Sequence, residues 1–137
     1  MDNKFKAILS ILGAITGYLF GGLDILLEVF FTILIVDTVT GMFKHYVLGT
    51  YESKKFRQGF AKKTGYMLAL ILAVQLDRIT GDTGTLRTGL LFCFIANESA
   101  SIVENLGEIG VPIPPALARG IAILKNKSET ETEITKG

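Results

Sequence analysis

The chain has 137 residues, 49% of them hydrophobic, a mean hydropathy of +0.44 and a formal net charge of +1. A near-neutral balance gives no ground for nucleic-acid binding, a single cysteine excludes an internal disulfide, and the apolar fraction alone fits a soluble domain as well as a membrane protein. Distribution separates these: charges are absent from 7–23, 64–76 and 88–97, sparse over 25–43, and gathered at 44–63 and in the last 13 residues. Apolar blocks between charged connectors are what a bilayer selects.

The first block predicts a helix over 5–23. Its 17 uncharged residues, 7–23, reach roughly 25 Å against a hydrocarbon core of ~30 Å, so it spans if Lys4 and Lys6 extend to the headgroups. Those lysines also mimic a secretory signal, but no small-residue cleavage site follows and the next apolar block begins at once, so a retained span is expected. Gly13, Gly17 and Gly21, spaced by four, line one narrow face with Ser10 a turn earlier. Small residues let helix backbones approach in lipid, which makes this a candidate helix–helix assembly face, between chains or within one.

The second helix is expected over 25–43 and carries Glu28 and Asp37. An aspartate at a helix centre costs about 2.5–3.5 kcal/mol on insertion scales, so Asp37 faces protein or water, or else sits at the headgroups. Asp24 and Glu28 read as interfacial carboxylates, and His45, between Lys44 and Tyr46, as an interfacial anchor. The connector 44–63 sets Lys44, Lys54, Lys55, Arg57, Lys62 and Lys63 against Glu52 alone. That basic excess places it in the cytoplasm, and with four spans both termini are cytoplasmic too.

A third helix over 64–80 reaches spanning length only by including Asp77 and Arg78. The fourth, over 86–106, begins apolar, with Cys93 a packing residue. At ~100° per residue Asn97, Ser101, Glu104, Asn105 and Glu108 then share an arc of roughly 100°, with Glu98 on its edge and Ile95, Ile102, Val103 and Leu106 opposite. An acidic stripe suits a water-filled lumen or a partner helix better than an anionic membrane surface, the plainer alternative being a solvent-facing helix. Asp37, Asn97, Glu98, Ser101, Glu104 and Asn105 are therefore candidate lumen or buried polar positions. Pro112, Pro114 and Pro115 interrupt the chain before a short interfacial piece at 115–124. A helical membrane domain over 1–124 and a disordered polar tail over 125–137 are expected. No catalytic constellation, metal-ligand spacing or cofactor motif is present.

In this order, Asp37-Thr-Val-Thr-Gly41, the connector from Ser53-Lys54-Lys55 through Gly59 to Lys62-Lys63, Asn97-Glu98-x-x-Ser101-Ile102-x-Glu104-Asn105 and Gly110-x-Pro112-x-Pro114 resemble the toxin-secretion and phage-lysis holin family from about Phe30 to Arg119. The resemblance implies an all-α integral membrane protein of three to four transmembrane helices. It implies no enzymatic activity and no cofactor: such a protein self-associates in the bacterial cytoplasmic membrane and opens lesions. Endolysin, or in some relatives a toxin, is then released as cargo rather than bound, and an antiholin is a possible partner. The residues also leave room for a small four-helix proton-coupled transporter using Asp37 or Glu98, or for a non-conducting membrane scaffold.

Overall fold

A computed structural model describes residues 2–136 and shows five helices and no strand among them. They are α1 (Asn3–Phe20), α2 (Ile25–Leu48), α3 (Ser53–Thr80), α4 (Thr85–Glu108) and α5 (Pro115–Lys136). α2 and α4 are long and apolar enough to cross a membrane.

Glycine stops three of the helices. α1 ends at Phe20 rather than at 23 because Gly21 (φ 78°) turns left-handed and the Gly22 N–H reaches back to the Gly17 carbonyl at 2.8 Å, closing a Schellman-type cap. Gly49 and Gly81 end α2 and α3 in the same left-handed conformation. Side chains start the next helices: Asp24 accepts from the Leu27 N–H at 3.0 Å, and Asp82 accepts from the Thr85 N–H at 3.1 Å and the Thr85 hydroxyl at 2.7 Å.

Three stretches are more helical than their sequence suggested. Nothing breaks the chain between 43 and 48, so α2 runs on to Leu48, and α3 already begins at Ser53. The basic connector 44–63 is therefore two helix ends joined by four residues. The polar stretch from 125, expected to be disordered, continues α5 as far as Lys136, with no glycine or proline between Gly120 and Lys136 to interrupt it and Ser128 buried. Gly137, the last residue of that expected tail, lies outside the described residues, as does Met1.

α4 is the hub, packing on α2, α3 and α5, while α1 touches α3. The core joins Leu27, Phe30 and Leu34 of α2 to Leu70 of α3 and to Leu91, Phe94 and Ile95 of α4, with Phe20 closing one end. Tyr66 stacks on Phe94 with ring centroids 4.0 Å apart. Outside this small core the surface is apolar: Ile8, Ile11, Leu12 and Ile15 of α1, and Ile25, Ile35 and Val39 of α2, are all exposed. So much uncovered apolar surface on a 137-residue chain needs lipid or other protein against it.

Candidate functional site: a charged cluster inside the bundle

Near the middle of α2 and α4, three helices converge on a set of charges. Asp37 lies about 18 Å along α2 from Ile25 and Glu98 about 20 Å along α4 from Thr85, near the midpoints of helices about 36 Å long. Lys63 of α3 reaches between them. Its ammonium donates to Asp37 Oδ2 at 2.7 Å and to Glu98 Oε2. Lys62 adds an ion-pair contact of 3.0 Å to Glu98 Oε1, without a directed hydrogen bond. Asn105, one further turn-pair along α4, donates from Nδ2 to Asp37 Oδ1 and to the Thr40 hydroxyl, both at 3.3 Å. Glu98 is 1% exposed, Asp37 12% and Lys63 17%.

Two carboxylates against two ammonium groups make the cluster neutral, which is the condition for burying it at all. Removing charges from water costs several kcal/mol per ion, and only mutual pairing with further hydrogen bonds offsets it. Beside the cluster, a cavity of about 250 Å³ is lined by Asp37, Gly41, Phe60, Lys63, Ser101 and Asn105 among others. Among the described residues no group of His, Cys, Asp and Glu side chains could hold a metal ion.

The fourth helix's polar stripe divides in two. Glu98 and Asn105 are buried in the cluster and Ser101 faces its cavity, whereas Asn97 and Glu104 are exposed on the flank. Glu108 meets Lys44 at 3.4 Å. Seven residues between Glu98 and Asn105 are two turns, so these two share the face that carries Leu91 and Phe94, and Glu104 is turned roughly 120° away. The basic group divides as well: Lys62 and Lys63 enter the cluster, while Lys55 pairs with Glu52 at 3.1 Å at the helix end.

A second polar cluster sits at the turns. Arg87 forks onto both oxygens of Asp24 at 2.9 Å, donates through Nε to the Phe20 carbonyl and reaches the Gly22 carbonyl at 3.3 Å. Asp77 accepts from the backbone N–H groups of Leu86 and Arg87 at 3.1 and 3.0 Å, tying the end of α3 to the start of α4. Arg78 donates to the Tyr18 carbonyl at 2.6 Å and lies over the Tyr18 ring. The hydrogen bonds from Arg87 hold the Asp24 carboxyl below the usual aspartate range, and the Thr85 hydroxyl and N–H do the same for Asp82. Sequence reasoning missed this cluster. Its signal was available: Arg87 is the one cation between Arg78 and Arg119, at the head of an apolar run.

The glycine face is shorter than its spacing suggested. Gly13 has nothing near the position of a Cβ and Gly17 only Leu23 at 3.8 Å, so both are open on α1. Gly21 has left the helix: it is the cap, and a Cβ there would meet Arg87 Cδ at 2.9 Å.

The bacteriophage holin family model matches residues 14–126. A protein described as a probable holin, from Bacillus phage phi105, is 31% identical over 116 residues, covering 85% of each chain. An uncharacterised protein of Listeria innocua is 36% identical over 121 residues (88% of this chain, 86% of that one), and an uncharacterised 14.9 kDa protein of Clostridium perfringens is 36% identical over 127 residues (91% and 96%). No solved structure matches. The extent of the family match and the similarity to the phage protein place the chain in one group: it belongs to the bacteriophage holin family.

Proposed function

We propose that the chain acts as a holin: it inserts in the bacterial cytoplasmic membrane with four spans, α1 to α4, gathers into oligomers and opens lesions through which an endolysin passes. The basic ends of α2 and α3 lie in the cytoplasm in this reading, with the α1–α2 and α3–α4 turns outside. The observation that carries it is the cluster of Asp37, Lys63 and Glu98 at mid-helix, enclosed by a bundle whose outer surface is apolar. Alone in lipid, the chain keeps these charges satisfied only by keeping α2, α3 and α4 together. In an assembly that opens a water-filled space, the same groups are solvated without each other, so hydration favours the open state. Asn97 and Glu104, already on the outside, gain in the same way.

Induced expression beside a separately expressed muralytic enzyme tests this. Abrupt growth arrest with escape of that enzyme into the periplasm is expected. Continued growth with the enzyme retained, at verified membrane insertion, would favour a transporter or scaffold instead. Orientation is read separately, with Cys93→Ser as background: cysteines placed at Lys54 or Arg57 should resist an impermeant thiol reagent before lysis, and one at Asp82 should react.

A further inference from the structure

α5 lies along α4 in an awkward place. Its second half brings Lys125, Ser128, Glu129 and Glu131 against a cavity of about 730 Å³ whose other wall is the apolar side of α3 and α4, including Leu72, Leu76 and Leu90. Gly89 is buried there, and a Cβ on it would lie 3.2 Å from the Cβ of Glu131. If α3 and α4 span, this groove is at hydrocarbon depth, and charged side chains do not rest there in lipid. The groove itself is shaped for a helix. Ala69 and Ala73 on α3, and Gly89 and Cys93 on α4, are small-xxx-small pairs that allow close backbone approach, and α5 already uses the second.

The geometry points to α1 of a second copy as the helix that takes this groove in the assembled protein, with α5 as the intramolecular occupant it displaces. This inference rests on the holin reading and deepens it. α1 has an open small-residue face, and the depths agree. Arg87 binds the Phe20 carbonyl, which sets the end of α1 level with the start of α4. Stepping inward from that level, Gly17 and Gly13 are three and seven residues from Phe20, while Gly89 and Cys93 are two and six from Arg87. Two copies sharing one orientation in the membrane therefore bring the pairs within about one residue's rise, ~1.5 Å, of each other. Gly17 meets Gly89, and Gly13 meets Cys93.

The native cysteine makes the test direct. Gly13→Cys adds a side chain where nothing is within 4 Å and leaves the groove unaltered. On oxidation of isolated membranes, dimers carrying a 13–93 disulfide, mapped by peptide mass spectrometry, are expected. Only 13–13 or 93–93 links, or no disulfide while an amine-reactive cross-linker still collects oligomers, would overturn the α1 contact and leave the holin reading standing. Monomers with both reagents, together with no lysis, would sink both. Displacement of α5 is read with Gly89→Cys and Glu131→Cys in Cys93→Ser: oxidation should close an intrachain disulfide and lower the oligomer fraction about tenfold, reversed by reductant. Absence of that disulfide, or oligomers undiminished by it, would remove α5 as the competitor.

Discussion

The cluster at the turns and the cluster at mid-helix contain similar charges but are built by opposite means. Arg87 and Asp77 bind chiefly backbone: the Phe20 and Gly22 carbonyls, and the N–H groups that open α4. Those groups have no intrahelical partner at a helix end, so a charged side chain there satisfies a need the fold already has. Lys63, Asp37 and Glu98 sit where every backbone group is engaged within its own helix, and they are satisfied by side chains alone: one another, Lys62 and Asn105. A helix bundle needs the first cluster. It would pack at least as well with hydrophobic residues in place of the second, which directs attention to mid-helix for function.

The widest separation between the two should come from Glu98. Glu98→Leu removes the partner of Lys62 and leaves the buried Lys63 with Asp37 alone, a loss of about 3–5 kcal/mol expected for breaking such a set. Thermal unfolding in detergent should show a large fall in Tm. Replacing the three buried charges, Asp37→Leu with Lys63→Met and Glu98→Met, and leaving the half-exposed Lys62 to turn to water, should restore stability to the native level or above while abolishing lysis at equal protein level. Lysis on schedule in that triple variant would make the cluster structural and erase the contrast. Glu104→Leu, on the exposed flank, should change stability little, so it separates the buried half of the stripe from the outer half.

Arg87→Ala removes hydrogen bonds to Asp24 and to two carbonyls, and on the order of 2–3 kcal/mol is expected for charge-assisted bonds of this kind. Here stability and lysis should fall together, because the clasp joins α1 to the rest. Gly21→Ala should cost less, roughly 1–2 kcal/mol for an L-residue forced left-handed, plus whatever Arg87 loses by moving aside. A full-strength melt for this variant would show that α1 ends elsewhere in the membrane.

Acid gives the smallest effect. The Asp24 carboxyl is held below its ordinary value of 3.8 by Arg87, so its contribution is complete above that pH and is lost only as pH falls through the lowered folded value. Melting temperature should therefore be flat from pH 8 to 5 as far as this clasp is concerned and decline below about pH 4. In Asp24→Asn that part of the decline should disappear. An unchanged acid limb would mean that Asp24 adds nothing to the clasp beyond what the carbonyls provide.

Four of the five helices were legible as apolar or amphipathic runs, and Asp37, Glu98 and Asn105 as groups needing a partner or water, because uncharged length and an isolated carboxylate in an apolar run are local properties. The same reading divided Lys62 and Lys63 from the carboxylates they meet. It treated 44–63 as one basic loop, since a lysine next to an apolar run looks alike whether it turns to the headgroups or inward. Gly21 was counted with Gly13 and Gly17 because spacing by four cannot tell a helix face from the cap that ends it.

What the sequence determined by itself, then, is which segments are apolar enough to leave water and which residues would need a partner there, both consequences of side-chain chemistry summed over a short window. Only the tertiary structure decided which charge answers which. Lys63 lies 26 residues from Asp37 and 35 from Glu98, and Arg87 lies 63 from Asp24. Pairing over such separations depends on how three helices rotate about their axes, and that rotation is set by packing of Phe30, Leu70, Leu91 and Phe94, to which no local pattern has access.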